Sequence, residues 1–117
     1  MIWKHLTNLT ELEQARQQSF HHPVLIFKHS TTCSISRAAL DRLERNWVAD
    51  EVPDLEPFFL DLKKYRHVSN AVAGQFNVVH ESPQAILIQD GQAIYHASHF
   101  SIEWKSLKGA AKAGVKN

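Results

Sequence analysis

From Ile2 to Leu6 the chain alternates apolar and polar positions, which predicts a short first strand. Leu9, Leu12, Ala15 and Phe20 then fall at roughly helical spacing. They predict a helix over about Leu12–Ser19, capped by Asn8 or Thr10 and closed off by Pro23. Val24-Leu25-Ile26-Phe27 is a continuous apolar run, the pattern of a strand buried on both faces. After Lys28-His29-Ser30-Thr31-Thr32 the period changes. Ile35, Ala39, Leu43 and Trp47 lie four apart and predict one apolar face of a helix from about Cys33 to Val48. Thr32 is a natural N-cap for it, which would place Cys33 in the first turn.

The second half repeats the alternation of strand and helix. Leu55–Asp61 predicts a strand, and Tyr65, Val68, Val72 and Phe76 mark a further helix. Glu81-Ser82-Pro83 punctuates the chain. Ala85–Ile88 and Ala93–Ala97 predict two strands joined by a tight turn at Asp90-Gly91. Ser101 is the expected cap of a last helix through Trp104 and Leu107, and Lys108–Asn117 reads as its frayed end. The order β-α-β-α-β-α-β-β-α predicts an α/β fold, a central mixed β-sheet flanked by helices on both faces. No repeat, low-complexity block or Gly/Ser/Pro-rich linker interrupts residues 1–117, so a single domain is expected.

Composition narrows the function without naming it. The 117 residues are 44% hydrophobic and 21% charged, with a formal net charge of +1. That balance calls for neither nucleic acid nor an anionic membrane as partner. No apolar run approaches the ~20 residues that span a bilayer. Met1-Ile2-Trp3-Lys4-His5 lacks the features of a signal peptide, so a cytoplasmic location is expected. One cysteine permits no internal disulfide and no cysteine-based zinc site. The eight histidines include the adjacent pair His21-His22 and the pair His96 and His99, but no metal-hydrolase pattern, and most are expected at the surface or in turns. No metal site is expected.

Cys33 carries the candidate chemistry. A lone cysteine is ordinarily a small buried hydrophobe, but this one falls where an apolar strand gives way to a helix. A helix N-terminus presents unpaired N–H groups and about half a positive charge. Both favour the thiolate, the form that attacks disulfides. Lys28 and His29, just upstream, are expected to add positive potential. Ser82-Pro83 directly precedes a predicted strand, where an isolated proline would most simply be a trans residue opening it.

Together these segments resemble a known family. Phe27-Lys28-His29-Ser30-Thr31-Thr32-Cys33-Ser34-Ile35-Ser36 and, about fifty residues on, His80-Glu81-Ser82-Pro83-Gln84 with its apolar strand and Asp90-Gly91 are similar to the YtxJ-type monothiol bacilliredoxins. The similarity runs from the first strand to the last helix. It implies a thioredoxin-like fold in which Pro83 is cis and packs beside Cys33, while Ser82 offers its backbone to an extended substrate. It also implies a reaction: Cys33 removes bacillithiol, a low-molecular-weight thiol, from mixed disulfides on proteins, and free thiol resolves the adduct. Bacillithiol is thus a co-substrate, and no bound cofactor is expected. Thr31, Thr32 and Ser34 would line the mouth of the site. Ser36 occupies the place of a dithiol relative's second cysteine, where its hydroxyl would hydrogen-bond the thiolate, and His29 and His80 would contact the negatively charged thiol. Ser34 departs from the family, which more often has proline there.

The partners so implied are bacillithiolated proteins and the small thiol, met by a monomer or weak dimer. Two other functions fit parts of the pattern. A glutathione-dependent monothiol glutaredoxin shares Cys-x-x-Ser, although the Cys-Gly-Phe-Ser motif of its cluster-carrying group is absent. A non-enzymatic thioredoxin-like module would bind extended peptides at Ser82-Pro83 and leave Cys33 incidental.

Overall fold

The computed structural model describes residues 2–114. Its elements are β1 (Lys4–His5), α1 (Leu9–Gln18), β2 (Val24–His29), α2 (Ser34–Asn46), β3 (Glu56–Asp61), α3 (Arg66–Phe76), β4 (Gln84–Gln89), β5 (Gln92–Ser98) and α4 (Trp104–Gly114). Single 3-10 turns lie at Ala49–Glu51 and His99–Ser101. The strands form one sheet in the order β1-β3-β2-β4-β5. β3 pairs in parallel with β1 and β2, whereas β4 runs antiparallel to both β2 and β5. This is the expected mixed sheet in the expected order.

The central strand divides the core. Val24 and Ile26 of β2 join Leu12 and Ala15 of α1 and Val68, Val72 and Phe76 of α3. Leu25 and Phe27, pointing the other way, join Ala39 and Leu43 of α2 and Trp104, Leu107 and Ala111 of α4. Strand periodicity thus sends alternate residues into two helix layers. Each fully buried side chain of this size stabilises the fold by ~1.5–3 kcal/mol over its exposed state.

The ends of elements differ from the sequence pattern for local reasons. α1 begins at Leu9 because Asn8 takes the N-cap, its side chain accepting from Glu11 N at 2.8 Å. α4 begins at Trp104, with Leu107 N donating to Glu103 O at 3.1 Å, and Ser101 belongs to the preceding 3-10 turn instead of capping the helix. Lys108–Gly114 continue α4 as ordered helix, and residues 115–117 of the expected frayed end lie outside the described residues. The Asp90-Gly91 turn is built from two left-handed residues, φ 54° and 75°. A side chain at Gly91 would also meet the Phe20 ring at 2.8 Å, so glycine is required there twice over.

β2 runs two residues beyond its apolar stretch and stays buried to its end. Lys28 is 0% exposed. Its Nζ lies 3.2 Å from Ser69 O and 3.2 Å from His80 Nδ1, neither of them an anion. Burial therefore pushes the ammonium from its ordinary 10.5 down to about 8. Between those values the unfolded chain holds a proton that the native protein lacks, so stability rises with pH there. Below about pH 8 the buried charge costs about 3 kcal/mol by this shift. Lys28→Met is therefore expected to raise the urea midpoint at pH 7, with the gain shrinking as pH climbs from 8 towards 10. A loss of stability that does not vary with pH would contradict this reading.

Candidate active site

The antiparallel pairing of β2 with β4 sets Lys28 opposite Gln84. The end of β2, which leads into the Cys33 loop, and the start of β4, which follows Ser82-Pro83, therefore share one end of the sheet. The Ser82-Pro83 peptide bond is cis. Pro83 is buried, and its carbonyl accepts from His99 N at 3.1 Å. Gln84, fully buried, staples the loop ahead of it: its amide donates to Val79 O at 3.0 Å, and its carbonyl accepts from Glu81 N at 3.4 Å. Ser82 Oγ is buried without a hydrogen-bond partner among the described residues.

Cys33 is a free, half-buried cysteine. It is itself the N-cap of α2, with extended dihedrals of φ −106° and ψ 120°, and its carbonyl accepts the first helical bond from Arg37 N at 3.1 Å. Its side chain makes no capping hydrogen bond. Thr32 had been expected to cap; the helix starts one residue later than that expectation requires. Cys33 itself therefore takes the cap position, at the end of α2 where the first-turn N–H groups lack helical partners.

The remaining candidate residues fall into two groups. Thr31, Thr32 and Ser34 are exposed around Cys33. Thr32 Oγ1 accepts from Lys63 Nζ at 2.9 Å, which brings an ammonium from the turn after β3 to the residue before Cys33. Ser36 and His29 are buried instead, at 0% and 5% exposure. Ser36 Oγ lies 2.7 Å from His29 Nδ1 and accepts from Ser30 N at 3.0 Å. Its hydroxyl is thus engaged towards β2, and the expected bond to the thiolate is replaced by these two. The His29 ring packs on Phe59 with centroids 5.3 Å apart.

The positive potential expected from Lys28 and His29 is also corrected. Lys28 turns its ammonium towards α3. Burial, reinforced by the Arg37 charge, holds His29 below the usual imidazole range, so it is neutral at pH 7. His80 is exposed, yet desolvation of its ring and the nearby Lys28 and Arg66 charges also lower its affinity for a proton. Lys63 brings a cation to Thr32, the residue before Cys33. The sequence gives no local signal for it, since the contact closes across 31 residues. Gln84 was likewise missed as a loop staple, although a polar residue between Pro83 and an apolar strand marks the position.

A half-buried thiol at a helix N-cap, reached at the same end of the sheet as a cis-proline loop, is an arrangement for thiol–disulfide exchange. Solved structures agree on the fold. A protein with a thioredoxin fold, provisionally assigned as an oxidoreductase, matches with a TM-score of 0.80 at 29% identity over 93% of each chain. Mitochondrial thioredoxin 3 from Saccharomyces cerevisiae matches at 0.70 and 20% identity, covering 95% of this chain and 94% of its own. Fasciola hepatica thioredoxin matches at 0.71 and 17% identity, covering 96% and 99%. The chain therefore has a thioredoxin fold, and the family to which it belongs makes it a thiol–disulfide oxidoreductase. The sequence model of monothiol bacilliredoxin BrxC matches residues 4–107, and the chain belongs to that family.

Proposed function

We propose that this protein removes bacillithiol from protein mixed disulfides in the cytoplasm, with Cys33 as the exchanging thiol. The observation that carries the proposal is a single cysteine at a helix N-cap within a monothiol bacilliredoxin sequence. The Cys33 thiolate attacks the bacillithiol sulfur of the mixed disulfide. That S–S bond breaks, the target leaves as a thiolate and takes a proton from water, and a Cys33–bacillithiol disulfide forms. A second bacillithiol thiolate then attacks the bound bacillithiol sulfur, which yields bacillithiol disulfide and restores Cys33. The net change consumes one free bacillithiol and exchanges one disulfide for another while Cys33 is restored, so no resolving cysteine is needed.

In this reading Thr31, Thr32 and Ser34 form the rim that meets the small thiol, and Ser82 pairs with the backbone of the target protein. Lys63 attracts the negatively charged thiol to the rim, and exposed His80 adds a polar contact. His29, buried and neutral, does not touch it. The protein acts as a monomer or weak dimer.

Mass spectrometry of the protein with a bacillithiolated substrate tests the proposal. Cys33 is expected to gain one bacillithiol as the substrate loses one, and Cys33→Ser is expected to do neither. Equal or faster transfer of glutathione would move the assignment to a glutaredoxin, and transfer of neither thiol would favour a peptide-binding module. Lys63→Ala is expected to slow bacillithiol transfer about two- to fivefold at low ionic strength and much less at high salt, as for an exposed charge. A salt-independent effect would exclude Lys63 as an attracting charge.

A further inference from the structure

Ser36 stands in the first turn of α2, yet its hydroxyl serves residues of β2 and of the loop beyond it. The Ser30 amide can only donate, so Ser36 Oγ accepts there, at 3.0 Å. The hydroxyl keeps one proton to place, and His29 Nδ1 lies 2.7 Å away. His29 is neutral, for the reasons of burial given above, with Asp41 and Glu44 of α2 and Asp61 of β3 opposing Arg37 in its field. A bare Nδ1 receives the hydroxyl proton, and Nε2 carries the ring proton. The opposite tautomer would leave two protons facing each other across this contact or strand the hydroxyl proton in a fully buried site.

Both backbone polar groups of Ser30 are used. Its N–H goes to Ser36, and its carbonyl accepts from Cys33 N at 3.2 Å. One buried hydroxyl thus fastens the last residue of β2, the first residue of the loop and the first turn of α2, and the Cys33 amide is bonded to that same loop residue. We infer that Ser36 and His29 are positioning residues for Cys33, a clasp that fixes the reactive loop against β2 and so sets where the sulfur meets the N-terminus of α2. Position 36 therefore has a task of its own and is more than a vacated place for a second thiol. The inference rests on Cys33 being the exchanging thiol, and it makes no use of which small thiol is exchanged.

The test is the rate at which iodoacetamide, small and uncharged, alkylates Cys33 at neutral pH in Ser36→Ala, His29→Gln and His29→Asn. The asparagine carbonyl falls near the place of Nδ1 and accepts from Ser36, whereas the glutamine carbonyl falls near Nε2 and does not. Ser36→Ala and His29→Gln are expected to react roughly tenfold more slowly, and His29→Asn within about threefold of the original chain, the size of loss a displaced reacting group produces. Ser36→Ala reacting at the original rate, or His29→Asn as slow as His29→Gln, would overturn the clasp. Thermal unfolding of each variant identifies any that fails to fold. The unsubstituted protein supplies a second reading through imidazole nitrogen NMR: a proton on Nε2 and a bare Nδ1 support the clasp, and a proton on Nδ1 overturns it. Failure of bacillithiol transfer with slowed alkylation in Ser36→Ala would remove the substrate assignment and leave the clasp standing.

Discussion

β2 is buried along its whole length, Val24–His29, and both halves of the sheet attach to it. β3 joins it in parallel on one side and β4 antiparallel on the other. That position decides what can happen at its end. A one-residue shift of register would send each set of side chains into the helix layer packed for the other, so the point where the strand releases the chain into the Cys33 loop is fixed. The last two residues, though polar, do not loosen it. Lys28 is tied to α3 and to His80, and His29 to Ser36 of α2. Each reaches a different helix layer because strand side chains alternate.

The antiparallel neighbour completes the site. Because β4 starts opposite Lys28, the loop that ends in Pro83 is delivered to the end of the sheet where Cys33 sits. Gln84 and His99 then hold that loop through backbone groups at Val79, Glu81 and Pro83. The Cys33 loop and the Pro83 loop are thus separate segments, each anchored on β2 or its partner. In the proposed exchange a small thiol brings the second sulfur, so no second cysteine is needed beside the N-cap.

Much of this was legible in the sequence, and the parts that were not share a cause. Periodicity reports burial, so it found β2, the apolar side of α2 and the element order. It misjudged the start of α2 because hydroxyl and thiol residues look alike to a pattern of apolar spacing. Ile35 was expected to open the buried face but is 43% exposed, and fully buried Ser36 opens it. The same blindness made Lys28 and His29 expected sources of positive potential beside Cys33, although burial leaves His29 neutral and Lys28 turns its ammonium towards α3. Thr32 resembled a cap by residue type, but its hydroxyl faces Lys63. Contacts that close across many residues, such as Lys63 with Thr32 and Lys28 with His80, leave no trace in local spacing. The segments around Cys33 and Pro83 were legible because they resemble a family, and the cis bond at Ser82-Pro83 followed from that resemblance alone.

The central claim is that one thiol works here with its resolving partner supplied from outside the chain. Thiol accounting on the reduced protein tests it most directly. After exposure to bacillithiol disulfide, intact mass under non-reducing conditions is expected to show one bacillithiol per chain at Cys33. Free bacillithiol should then remove it completely and regenerate the monomer thiol. A chain-to-chain disulfide through Cys33 as the main product, or an adduct that free bacillithiol cannot release, would contradict the account.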